Sequence, residues 1–192
     1  MQKANHSKKY PSIACCGLDC GLCPTYYTKG PSRCPGCCGP NFSNKHPSCS
    51  IITCCVKNNN FETCADCYNF PCPKLKDWDV SDSFISHRVS LKNLGLIKEK
   101  GIKEFIDQQH QRIDLLKILL EDFNEGRSKS FFCIATALLP IKYLDESVKR
   151  ANERIDNEKI EASNLKFKSK IIKQYLNDFA TNQKVILKLK RK

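Results

Sequence analysis

Ten cysteines between Cys16 and Cys72 are spaced as ligands: Cys16-x3-Cys20-x2-Cys23, Cys34-x2-Cys37, Cys49-x4-Cys54 and Cys64-x2-Cys67-x4-Cys72. A Cys-x2-Cys turn bends so that both sulfurs can reach one ion about 2.3 Å away. The CPGC at 34–37, followed by Gly39, has the proline and glycine of a zinc knuckle. Three such pairs predict a metal-bound unit. Two closed four-thiolate zinc sites would use eight of the ten, and their binding free energy would largely be folding free energy. Two 4Fe–4S clusters, each held by four cysteines, have the same ligand arithmetic. Zn2+ is therefore the expected metal, in a zinc-stabilised interaction module joined to a helical domain, with a 4Fe–4S redox protein or enzyme as the alternative.

Two neighbouring patterns carry less. Cys16-x3-Cys20-x2-Cys23 has the spacing of the radical S-adenosylmethionine cluster motif, but Leu22 stands where an aromatic is usual and no run of βα units follows. Cys72-Pro73 matches the end of a ferredoxin run without the rest of its spacing. His46 in HPSC is read as a solvated loop histidine. Cys15, Cys38 and Cys55 each adjoin another cysteine. Adjacent thiolates rarely reach one ion comfortably, so these three read as small buried residues, and Cys15 and Cys38 as spares.

Compartment decides between metal and disulfides. Of fourteen cysteines, thirteen lie between Cys15 and Cys72. The opening MQKANHSKKYPSIACC has no apolar core of a secretory signal, and no run of eighteen apolar residues occurs anywhere. The expectation is a cytoplasmic protein with no membrane span, whose thiols are reduced and metal-bound.

The elements that must position these cysteines change texture along the chain. Residues 1–12 are expected to be a flexible basic leader. Residues 13–73 form the cysteine-rich unit, with seven prolines and five glycines, which is turn chemistry rather than long helices. One short helix is expected over 49–58. Residues 74–181 should be a helical domain. A helix over 81–101 is expected to break near Gly95, and Ile102, Phe105, Ile106, Gln109, Ile113, Leu116, Leu120 and Phe123 predict an amphipathic helix of about 22 residues. SFFCIATALL at 130–139 predicts a short buried helix stopped by Pro140, and two further helices follow. Residues 182–192 are a basic C-terminal extension in which VILKLK predicts a short strand. The fold class is mostly α: a small irregular metal-binding unit followed by helices.

Taken together, CGLDCGLCPTYY, RCPGC, HPSCSI and CADCYNFPCPKL, continuing through FISHRVSLKNLGLIKEKGIKEFIDQQHQRIDLL and LEDFNEGRSKSFFCIATALLP, resemble the prokaryotic domain-of-unknown-function family 3795 over residues 13–145. The resemblance implies a small, soluble, cysteine-rich protein and brings no activity with it. The matching positions are Cys16, Cys20, Cys23, Cys34, Cys37, Cys49, Cys64, Cys67 and Cys72; Cys54 and Cys55 share one more, and Cys15 and Cys38 are extra.

Outside the cysteines, Arg127, Lys129 and Ser130 stand at a helix start where an anion pocket could form. His87 and Arg88 mark another element boundary. Cys133 is a candidate reactive thiol in an apolar helix. The net charge of +12 and the tail KVILKLKRK permit a nucleic-acid or protein partner on a basic surface. Tyr26, Tyr27 and Tyr68 are available for stacking. No Ser–His–Asp set, phosphate loop or carboxylate pair names a reaction.

Overall fold

A computed structural model describes residues 7–190. It divides into two compact units, one running to Asp107 and including Lys190, the other spanning Gln108–Leu189. The described residues contain six α-helical elements and no strand, so the mostly-α expectation holds. The predicted C-terminal strand is absent. VILKLK lies beside no strand that could complete a hydrogen-bond ladder. Instead Lys190 N–H donates to the Asp82 carboxylate at 2.8 Å, and Asp82 N–H donates to the Lys190 carbonyl at 2.8 Å.

The first unit is built from single turns. Short 3-10 segments cover Cys20–Leu22, Pro24–Tyr27, Phe42–Asn44, Cys64–Asp66 and Pro73–Leu75. Helix α1 (Ser50–Ile52) runs directly into a π-helical turn, Thr53–Asn58. Helix α2 (Ser90–Lys100) closes the unit and ends at Gly101, whose φ of 86° stops it. It begins later than expected and passes through Gly95 unbroken. The later start has a local cause: the residues before it are tied to Asp82. Its carboxylate accepts from Ser86 Oγ and from the His87 N–H, and it pairs with Arg88 at 3.7 Å. The core joins Ile13, Leu75, Leu94, Ile97, Phe105 and Ile106 to buried cysteines. Gly17 (φ 83°) lets α2 approach, since a Cβ there would stand 2.2 Å from the Ser90 carbonyl oxygen.

Residues 7–12 are not a loose leader; residues 1–6 lie outside the described residues. Lys8 is buried, and its Nζ donates to the Ile13 carbonyl at 2.6 Å. The backbone N–H groups of Lys9 and Tyr10 donate to the Glu62 carboxylate. The unit boundary also falls beyond residue 73, because α2 and Phe105 and Ile106 contribute to the cysteine-rich core.

The second unit is held by helix packing. Helix α3 (Ile102–Asp122) supplies Leu116 and Leu119, with Phe123 just beyond it. Helix α4 (Lys129–Leu138) is buried over most of its length and stops before Pro140. Helices α5 (Ile141–Asn157) and α6 (Leu165–Asn182) pack together through Leu144, Ala151, Ile172 and Leu176, and Tyr143 stacks on Phe179 at 4.8 Å. Each large apolar side chain fully buried there contributes about 1.5–3 kcal/mol.

Candidate metal centre

Single turns hold the ligand pairs. Cys23 N–H donates to the Cys20 carbonyl at 3.1 Å, and Cys67 N–H to the Cys64 carbonyl at 3.3 Å, so each Cys-x2-Cys pair spans one turn. The second turn is fixed by a capping box: Thr63 Oγ1 accepts from the Ala65 N–H, and the Asp66 carboxylate accepts from the Thr63 N–H. The knuckle at 34–37 is docked by Cys37 N–H donating to the Pro11 carbonyl at 2.8 Å, and Gly36 (φ 83°) has no room for a side chain there.

These turns sort the cysteines around two cavities. The larger, of about 150 Å³, is lined by Cys16, Cys20, Cys23, Cys34 and Cys49, with Cys15 and Cys37 on its wall. Its remaining wall is mostly apolar and aromatic, with Phe42, Ile51, Ile52, Trp78, Phe84 and Ile85, and carries the polar Thr25, His46 and Ser83. The indole N–H of Trp78 is buried without a hydrogen-bond partner. The smaller, of about 30 Å³, is lined by Cys54, Cys64, Cys67 and Cys72, with Cys55. All ten predicted ligands thus belong to one or the other.

The tightest thiol group is one that spacing alone did not select. The sulfurs of Cys15, Cys37 and Cys38 all lie within 4.8 Å of one another, and all three residues are buried. Among the described residues no other three Cys, His, Asp or Glu ligand atoms approach so closely. Cys15 Sγ and Cys37 Sγ are 3.9 Å apart. Cys38 has φ 58°, a left-handed conformation that non-glycine residues rarely adopt. That twist accompanies two adjacent cysteines placing their sulfurs in one group, which the expectation for neighbouring thiols did not allow. Cys55, on the π-helical turn, donates its thiol to the Phe61 carbonyl at 3.5 Å and interacts electrostatically with Cys15.

The electrostatics follow from this packing. Hydrogen bonds from the Cys15 and Cys38 thiols, helped by the nearby Lys8 ammonium, hold Cys37 well below the usual thiol range. Interaction with Cys37 pushes Cys15 up, and interactions with Cys15 and then Cys37 push Cys38 up. Burial pushes Cys16 up to about 12. Burial alone would lower Lys8, but Cys15, Cys37, Glu62 and Cys20 outweigh it and keep the ammonium charged. A cation beside a thiol favours the thiolate, which is the form that binds metal, and the buried group of Cys15, Cys37 and Cys38 can bind a metal ion.

The other candidates are placed differently. His46 stacks on Phe42 at 4.6 Å. Arg127 and Ser130 are exposed, and the polar centre beside α4 is Glu125, which accepts from Ser128 and pairs with Lys173 at 3.2 Å. Cys133 is buried inside α4 in the second unit, whereas the other thirteen cysteines belong to the first. His87 stacks on Trp78, and Arg88 pairs with Asp82. Tyr27 donates to the Gly21 carbonyl, Tyr26 lies under Arg33, and Tyr68 is exposed. Sequence reasoning missed Lys8 and Glu62, which look like ordinary surface charges; only the hydrophobic Ile13–Ala14 that follows Lys8 hints at its burial.

Fold and thiol placement together define a helical, cysteine-rich protein whose N-terminal unit holds a thiol group able to bind a metal. No helix among the described residues is long and apolar enough to cross a membrane. Comparison of the chain with protein-family models, curated proteins and solved structures returned no match.

Proposed function

We propose that the first unit is an iron–sulfur module, with a 4Fe–4S cluster in the larger cavity and Cys54, Cys64, Cys67 and Cys72 as a second four-thiolate set. The observation that carries this reading is the spread of the pattern cysteines. Four thiolates around one tetrahedral zinc sit about 3.8 Å apart, a separation fixed by the Zn–S bond length. No three of the ten pattern sulfurs lie within 4.8 Å of one another. They surround open space, as ligands do when an inorganic core separates them. Leaving out Cys15 and Cys37, five cysteines line the larger cavity, one more than a cluster needs. The orphaned Trp78 N–H fits the same reading as a donor to cluster sulfur, and the wall around it is largely apolar.

When bound, such a cluster supplies one-electron chemistry. What this chain contributes is the ligand geometry set by the Cys20–Leu22 and Cys64–Asp66 turns, and a largely apolar wall. The reading of a zinc-stabilised interaction module keeps one favouring observation, the close group at Cys15, Cys37 and Cys38. The resemblance to family 3795 and a nucleic-acid role for the basic tail are carried as proposals resting on sequence alone.

The test is anaerobic purification followed by iron, sulfide and zinc analysis and a visible spectrum. The expected result is a brown protein with about four or eight irons per chain and matching sulfide. A colourless protein carrying only zinc would overturn it.

A further inference from the structure

The three cysteines that adjoin pattern cysteines, and so looked redundant, are not scattered. Cys15, Cys38 and Cys55 are all buried in the core of the first unit, and all three meet Cys37 or one another. Cys15 is the hub: its sulfur is 3.9 Å from that of Cys37 and shares one close group with Cys37 and Cys38, while Cys55, whose thiol donates to the Phe61 carbonyl at 3.5 Å, interacts with it from beside that group. Cys55 in turn lies beside Cys64 on the wall of the smaller cavity, while Cys15 and Cys37 lie on the wall of the larger.

We infer that Cys15, Cys37, Cys38 and Cys55 form a third, separate metal site that takes a single zinc ion, with Lys8 as its built-in countercharge. Four observations converge on it. The first three sulfurs are already within 4.8 Å, and one pair is at 3.9 Å, close to the roughly 3.8 Å of a tetrahedral zinc–thiolate site. A thiolate set of this compactness selects a soft or borderline ion with no room for a cluster. Cys38 keeps a left-handed backbone that costs free energy unless its surroundings require it, and such positions gather at functional sites. Cys55 sits on a π-helical turn, an irregularity with the same tendency.

Lys8 supplies the remaining term. Four thiolates on one divalent ion leave a doubly negative centre, which is costly to bury without compensation. The Lys8 ammonium is buried, donates to the Ile13 carbonyl at 2.6 Å, and interacts with Cys15 and Cys37. Glu62, 3.9 Å from its Nζ, holds the segment 8–10 in place. The inference rests on the iron–sulfur reading only in releasing Cys37 from the larger cavity, where five other cysteines remain.

The test uses the full chain purified without oxygen, with zinc and iron measured separately. Cys38→Gly removes the sulfur while keeping the left-handed backbone at no steric cost; Cys55→Ala is the second variant. The expected result is about one zinc per chain besides any iron, lost from both variants while iron and the visible spectrum persist. In zinc-depleted wild type, Co2+ should give the intense visible bands of a tetrahedral thiolate site. Lys8→Met should weaken zinc retention by about 10–100-fold against a competing chelator, as loss of outer-shell partners does. Retention of zinc in both variants overturns the proposal, as does a wild type that takes up neither zinc nor Co2+. Joint loss of iron and zinc from Cys38→Gly would overturn the separateness of the site. A protein without iron, whose zinc still drops by one equivalent in the variants, would sink the iron–sulfur reading and leave this site standing.

Discussion

The two units solve the same problem, burying enough apolar surface to fold, with different materials. In the second unit, α5 and α6 bring long helices together, and Leu144, Ile172 and Leu176 are almost wholly buried. In the first, single turns carry little apolar surface of their own, and cysteines occupy core positions beside Ile13, Leu75 and Leu94. A unit of that kind cannot offset its chain entropy by packing alone and needs an added constraint. The difference teaches where a bound metal would matter for folding: in the first unit, whose core is built from thiols that can hold one.

The largest test of that contrast is metal removal. Stripping metal with a strong chelator under reducing conditions should collapse the first unit while most helical signal survives. The single tryptophan, Trp78, belongs to the first unit and reports it by fluorescence, against far-UV circular dichroism for the helices. Simultaneous loss of both signals would break the comparison. Next in size, Leu144→Ala should cost about 2–5 kcal/mol in denaturant unfolding of the second unit, without changing metal content. Loss of bound metal in that variant would show that the units are not independent.

Smaller effects sharpen the picture. Thr63→Ala removes the capping box at the Cys64–Asp66 turn and should cost about 0.5–2 kcal/mol, read as easier metal loss to a chelator. The smallest effect lies in the second unit. Burial opposes ionisation of Glu125, but hydrogen bonds from Ser128 and Ser169, with Lys173, outweigh it and hold its carboxyl at about 2. Its folded pKa lies below the ordinary carboxylate value, so its contribution is complete above about 4.5 and is lost as pH falls toward 2. Thermal melts of Glu125→Gln and wild type should differ at neutral pH and converge across that acid window. A gap that persists at pH 2 would assign the effect to packing rather than charge.

Much of this architecture was legible in the order of residues. The 3.6-residue period over Ile102–Phe123 places α3, whose observed span is Ile102–Asp122, and Pro140 marks the end of α4. The Cys-x2-Cys pairs became single turns, because the Cys20–Leu22 and Cys64–Asp66 segments satisfy their backbone locally. The failures came where long-range contacts decide. Helix α2 opens at Ser90 rather than at the expected residue 81, because Asp82 ties down His87 and Arg88 and is itself met by Lys190. VILKLK has the alternation of a strand but no neighbouring strand to pair with.

The sequence by itself determined the helical class, the cysteine-rich segment and its Cys-x2-Cys turns, since periodicity and spacing are local properties of the chain. Only the tertiary structure decided how fourteen thiols divide. It set ten around two cavities, gathered Cys15, Cys37 and Cys38 with Cys55 at hand, and buried Lys8 beside them. The physical reason is that sulfur–sulfur distance depends on residues far apart in sequence. Cys15 meets Cys37 through the docking of the knuckle on Pro11, and it nears Cys55 through the core that α2 closes.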